Sequence, residues 1–218
     1  MHIGAYGMIK AMDDPAKSIV QFMNLRGRTA LFIGAAAGLS SVVALRFSEL
    51  QARVAQATTP KTAINPDIVV IDSALFVRQT GLDAARLQAM CRDMLEVVAD
   101  RAGALIIIAP PELILSSTDT QTRQAATEAA LRALVRVLRF EYGAKGWKIS
   151  LVVPGHVRLP GQPVISRSPV RADMVRRWQT APIHRLIEAD DVARLVAFLA
   201  SDASSYANGA NVSLAHDA

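Results

Sequence analysis

The sequence predicts an α/β fold built on a doubly wound parallel sheet, and three observations carry that expectation. Short apolar runs recur along the chain, at residues 29–33, 67–71, 104–108 and 149–153. Continuous runs of this kind mark strands covered on both faces. Segments of helical period lie between them, as strand-helix-strand crossovers require, with Leu87, Met90, Cys91, Met94 and Val98 the clearest set. Finally, Gly34 and Gly38 bracket a turn of small residues between the first run and a helix marked by Leu39, Val42, Val43, Phe47 and Leu50.

Length and composition set the bounds. A chain of 218 residues, half of them apolar and a fifth charged, fits one packed domain. No apolar run approaches the ~20 residues of a membrane span, and the N-terminus lacks the continuous apolar core of a secretory signal. Cys91 is the only cysteine, which excludes internal disulfides and cysteine-cluster metal sites and fits a reducing cytoplasm. The net charge of +5 is concentrated between His156 and Arg185, where six arginines face one acid, Asp173. Such a loop could be merely solvated, or could hold an acidic partner or an anionic ligand such as a CoA phosphate. No helix-turn-helix or aromatic stacking motif accompanies it, which argues against nucleic acid.

In chain order, residues 1–23 form an extension before the domain at 24–218. Asp14 and Pro15 suit a helix start, with Ile19, Phe22 and Met23 on one face. Either this is an added packing helix, or it is leader sequence and Met23 begins the domain. At Gly34 and Gly38 a strand-turn-helix can bring backbone N–H groups close to a nucleotide's pyrophosphate, because glycine lets the backbone approach. Simple packing also explains such small residues.

Beyond the turn, Val43, Phe47, Leu50 and Val54 continue the helical period, and Gln51 stands where a helix-ending glycine would help. Two readings follow: a second strand at 52–57, or a helix running to about Thr58. The expectation leans to the long helix, because a strand would leave nine residues to return along the sheet in a nearly extended path of ~30 Å. The strand at 67–71 is followed by a helix over 86–100, the strand at 104–108 and a loop over 109–121. A helix over 122–142 is apolar on more than one face, with one polar stripe of Glu128, Arg132, Arg136 and Arg139, so a second cover beyond its own sheet is expected. The strand at 149–153 ends in Pro154-Gly155. Asp190 and Asp191 open a helix through Ala200, where acids suit the helix dipole, and 211–214 closes the sheet.

Three strings, LRGRTALFIGAAAGLSSVVALRF, AALRALVRVLRFEYGAKGWKISLVVPG and EADDVARLVAFLASDASSYANGANVSL, resemble the short-chain dehydrogenase/reductase family over about residues 24–215. The resemblance implies a Rossmann-like sheet, NAD(P)-dependent oxidoreduction and assembly through the helices at 86–100 and 122–142. It also implies which positions should carry the chemistry. The family's tyrosine, which exchanges the proton, and the lysine four residues later, which lowers its pKa, fall on Gln124 and Glu128. The serine that orients the substrate falls near Ala109 or on Pro110. None of these residues can do the family's work: glutamine has no titratable proton, Glu128 reverses the needed charge and Pro110 has no donor.

The cofactor positions are eroded as well. The family's T-G-x-x-x-G-x-G reads Ile33-Gly34 to Gly38-Leu39-Ser40, losing the threonine and the third glycine and adding bulk at Ser40. Its N-N-A-G reads Ile71-Asp72-Ser73-Ala74, which sets a carboxylate beside an anionic cofactor. The threonine after its Pro-Gly turn is Leu159, and no acid stands at Thr58 for a ribose. Thirty-seven residues lie between Gly34 and Asp72, room for little more than one βαβ unit, so the fold is expected to be truncated in its second and third strands.

The resemblance therefore implies a catalytically inactive subunit that retains Gly34 and Gly38 as vestiges, holds no metal, and supports an active homologous subunit, with NAD(P) bound in that partner and not, or only weakly, by this chain. Heteromers of that kind occur in the family, among them hydroxyacyl-CoA dehydrogenases of aromatic breakdown. Two alternatives stay open: an active NAD(P)-dependent oxidoreductase using His156 or His184, and a ligand-sensing regulator without catalysis. Tyr142 and Tyr206 lie away from position 124 and replace nothing.

Overall fold

The computed structural model describes residues 19–34, 38–57, 64–78, 81–98, 101–111, 118–159, 185 and 187–214. The elements run α1 (Ile19–Phe22), β1 (Thr29–Ile33), α2 (Leu39–Glu49), β2 (Arg53–Ala57), β3 (Ile68–Asp72), a 3₁₀ turn at Ser73–Phe76, and the short strands β4 (Val77–Arg78) and β5 (Gly81–Leu82). They continue through α3 (Ala84–Val97), β6 (Gly103–Ile108), α4 (Thr118–Tyr142), β7 (Trp147–Pro154), β8 (Val157–Arg158), β9 (Ile187–Glu188), α5 (Ala189–Ala200) and β10 (Asn211–Leu214).

Six strands form one parallel sheet in the order β10-β7-β6-β3-β1-β2. Its central strands β3, β6 and β7 are buried along nearly their whole length, as their apolar runs demand. Alternate residues face two cores. Leu31, Val69, Leu105 and Ile149 pack under α3 and α4, while Phe32, Val70, Ile106 and Val152 pack under α2 and α5. Cys91 sits wholly inside the first core, where burial pushes its thiol up to about 12.

The long-helix expectation fails at Gln51. That residue takes φ 65°, its N–H donates to Ser48 O, and Ala52 N–H donates to Phe47 O. This is the Schellman arrangement that closes a helix, reached here without glycine. The helix therefore stops at Glu49, and β2 exists, paired in register with β1 from Thr29–Arg53 to Ile33–Ala57. Residues 58–63 of the return to β3 lie outside the described residues, as do Thr58 and the helix start expected at Asp14 and Pro15.

Elsewhere the boundaries shift by a few residues. The helix expected over 86–100 begins at Ala84, capped by Asp83, whose carboxylate accepts Arg86 N–H, and ends at Val97. The one expected over 122–142 begins four residues earlier, at Thr118. Two short pairings, β4 with β5 and β8 with β9, were not legible as strands.

β7 extends back to Trp147 and so takes Lys148 into the sheet. Lys148 is 7% exposed, and its ammonium donates to Ser201 O at 2.5 Å and Ser204 Oγ at 3.0 Å, closing the C-terminal end of α5. Burial lowers its pKa to about 8, with Asp202 opposing and Arg28 adding to the drop. The first turn of α5 is held more firmly than a dipole alone would explain. Asp190 binds Arg46 of α2 and Arg194, while Asp191 accepts Glu188 N–H in a capping box and pairs with Arg185. These guanidinium partners hold both carboxyls below the usual range.

Candidate functional site

The winding of the sheet points to one location. From β1 the chain moves to β2 on one side and then to β3 on the other, and in open α/β sheets ligands bind outside the carboxyl ends of the strands at such a reversal. Gly34 and Asp72 stand there, at the ends of β1 and β3.

Side chains of α2 and β3 meet there. Ser40, in the first turn of α2 and buried, donates its hydroxyl to Asp72 Oδ2 at 2.7 Å, and Asp72 Oδ1 accepts Ala74 N–H at 3.0 Å. A Cβ added to Gly34 would lie 2.9 Å from Ser40 Oγ and 3.0 Å from Asp72 Cβ, so the glycine is needed for this internal approach. Gly38, at φ 76°, precedes α2 without any side-chain cap, and the Leu159 side chain stands 3.8 Å from where its Cβ would be. Residues 35–37 lie outside the described residues. Ser73, another residue of the altered N-N-A-G string, turns inward and donates to Ile108 O at 2.8 Å, tying the end of β3 to that of β6. Nothing in its neighbours' types announced this bond.

Asp72 thus sets a carboxylate at the end of β3, where a dinucleotide pyrophosphate would bring further negative charge.

The remaining expected positions are also placed. Ala109 is fully buried at the end of β6, with its N–H donated to Val152 O, and Pro110 follows half-buried. Gln124 and Glu128 lie half-buried on α4, and Glu128 faces Arg132 at 3.6 Å. His156 is half-buried just past β7, at the same end of the sheet as Gly34. His184 and most of the basic loop at 156–185 lie outside the described residues. Tyr142 is buried at the far end of α4, where burial raises its phenol pKa, and Tyr206 is fully solvated. Among the described residues no group of His, Cys, Asp and Glu could hold a metal ion, and no helix is long and apolar enough to cross a membrane.

The outer surfaces of α3 and α4 retain large apolar side chains. Val97 is 66% exposed, Phe140 88% and Val137 41%, although the inner face of α4 is buried through Leu131, Leu134, Val135 and Leu138.

Comparison with known proteins bears on the same residues. Residues 39–215 match the family model described as Enoyl-(Acyl carrier protein) reductase. Oxidoreductase UcpA of Escherichia coli K12 is 30% identical over 118 residues, 52% of this chain and 45% of that protein, so the match spans less than half the relative's length. A cis-4-hydroxycyclohexanecarboxylate dehydrogenase of Sinomonas cyclohexanicum is 27% identical over 220 residues, covering 95% of this chain and 84% of its own. The fold superimposes on a hydroxysteroid dehydrogenase of Escherichia coli with a TM-score of 0.68 at 20% identity, covering 89% of this chain and 97% of that one. A gluconate 5-dehydrogenase of Burkholderia cenocepacia gives 0.67 at 17% identity, covering 91% and 98%. Six parallel strands wound about the β1/β3 boundary, helices on both faces and a matched stretch reaching from α2 to the last strand lead to one conclusion: this chain belongs to the short-chain dehydrogenase/reductase family.

Proposed function

We propose that the chain is a non-catalytic subunit of an NAD(P)-dependent oxidoreductase, assembling with an active homologue through α3 and α4 and binding no dinucleotide itself. The observation that carries this reading is the Ser40–Asp72 hydrogen bond, which ties α2 to the end of β3 and holds a carboxylate at the switch point. The residue types at Pro110, Gln124 and Glu128 agree with it, since none supplies the donor, titratable proton or cation that family chemistry uses at those positions. The exposed Phe140, Val137 and Val97 give the partner an apolar surface to cover. A lone buried thiol suits a reducing cytoplasm. An alcohol dehydrogenase, with a hydroxyacyl-CoA among its candidate substrates, is the class of partner that the resemblance suggests.

The test is a calorimetric titration of the purified chain with NADH and with NADPH, paired with co-purification of a homologous dehydrogenase. The expected result is no turnover and no saturable heat from the crevice, with a complex that is lost on Phe140→Asp. Micromolar binding that is weakened by substitution at Gly38 would return the chain to the active class. A homologue equally active and stable without this chain would remove the supporting role.

A further inference from the structure

A cavity lies at the opposite end of the strands. It has a volume of about 440 Å³ and is walled by the residues that begin β1, β2, β6 and β7 and precede β3. Five cations line it, Arg26, Arg28, Arg53, Arg101 and Lys148, against two carboxylates, Asp67 and Asp202.

The fold uses three of these cations. Arg28 pairs with Asp202 at 2.5 Å and reaches Ala200 O at 3.4 Å, and Lys148 closes the same helix end. Arg101 pairs with Asp67 at 2.9 Å, and Asp67 also accepts Thr29 N–H at 2.8 Å. Both carboxylates are thereby spent. Arg26 and Arg53 remain, exposed and without a side-chain partner among the described residues. They are not remote from the rest: Arg53 N–H donates to Arg28 O, and Arg26 is two residues from Arg28.

Guanidinium groups gathered without counter-charge repel one another, and an anion placed among them relieves that repulsion. The walls are more polar than apolar and carry a net positive charge, which suits an anion better than an apolar ligand. Planar guanidinium forks suit the oxygens of a phosphoryl group. The volume exceeds what one phosphate needs and lies in the range of small-molecule sites.

We propose that this cavity binds a small phosphorylated ligand of at least two negative charges, held by Arg26 and Arg53 with Lys148 at its floor. The site is independent of the switch-point crevice, which lies at the carboxyl ends of the same strands.

Thermal unfolding of the full chain with sodium pyrophosphate, inorganic phosphate and AMP, each against sodium chloride at matched ionic strength, tests it. A saturable rise in Tm of about 5 °C at a hundredfold excess over Kd is expected from pyrophosphate or AMP. Pyrophosphate alone would mark a free polyphosphate, and AMP a phosphate ester. The rise should vanish in Arg26→Gln/Arg53→Gln, whose exposed positions leave the fold intact. A shift no larger than that from chloride, or one retained in the double variant, overturns the proposal. So does tight binding of a single-stranded oligonucleotide with no response to pyrophosphate. The same variant separates the two ends of the sheet: a dinucleotide heat lost in it belongs to this cavity, not to Gly34 and Gly38.

Discussion

Ser40 and Asp72, thirty-two positions apart in sequence, meet at 2.7 Å and join the first turn of α2 to the end of β3. Removing the hydroxyl leaves one carboxylate oxygen without its partner. Ser40→Ala should therefore lower stability by about 1 kcal/mol, or Tm by ~2–4 °C, checked by urea and thermal unfolding. Ser40→Gly should cost more, since glycine also weakens the helix, and should not restore NADH binding while Asp72 keeps its charge.

Restoring two family residues should not restore the chemistry. Gln124→Tyr/Glu128→Lys breaks only a half-exposed i,i+4 pair with Arg132, so its stability should change by less than about 0.5 kcal/mol. Steady-state assays with NADH or NADPH should still show no turnover, because Pro110 offers no hydrogen-bond donor and Asp72 keeps its carboxylate at the switch point.

Gly103 tolerates no side chain. A Cβ there would lie 2.6 Å from Asp67 O and 2.7 Å from Trp147 Cη2. Gly103→Ala should cost about 2–3 kcal/mol through overpacking at the start of β6, read as a fall in the urea midpoint.

Gln51 holds a left-handed backbone that glycine adopts without strain. Gln51→Gly should raise stability by about 0.5 kcal/mol, since relief of that strain outweighs the added freedom of the unfolded chain. A Tm rise of ~1–2 °C checks it.

Two buried groups give opposite pH dependences. Lys148 titrates near 8 in the folded chain against 10.5 unfolded, so above pH 8 the folded state holds fewer protons and stability rises with pH towards 10.5. Cys91 titrates near 12 folded against 9.0 unfolded, so above pH 9 the unfolded state loses its proton first and stability falls. Between pH 8 and 9 the lysine acts almost alone, and unfolding free energy should increase there by about 1 kcal/mol. Denaturant curves at half-unit steps should show that increase vanish in Lys148→Met, while Cys91→Ala should remove the later decline.

The buried strands were legible because a parallel strand covered on both faces must be apolar throughout, and Ile68–Ile71 and Leu105–Ile108 are so in full view. The helix end at Gln51 was hidden because a Schellman turn can be closed by a strained residue other than glycine. Lys148 was hidden for the same kind of reason: the carbonyl it satisfies, at Ser201, lies fifty-three positions away. At the switch point, the sequence showed which residues had changed. It did not show that two of the changes, Ser40 and Asp72, answer one another, nor that the unclaimed arginines gather at the other end of the sheet.

Cys91 has a last consequence. It is the chain's single thiol, fully enclosed between α3 and the sheet, and an alkylating reagent can reach it only when that packing opens. Its labelling rate in native buffer therefore reports, at one defined position, how often the helix lifts from the strands, and no engineered probe is required. A bound partner that clamps α3 would slow that reaction, read by mass as a slower rise in the fraction of chains carrying the one label.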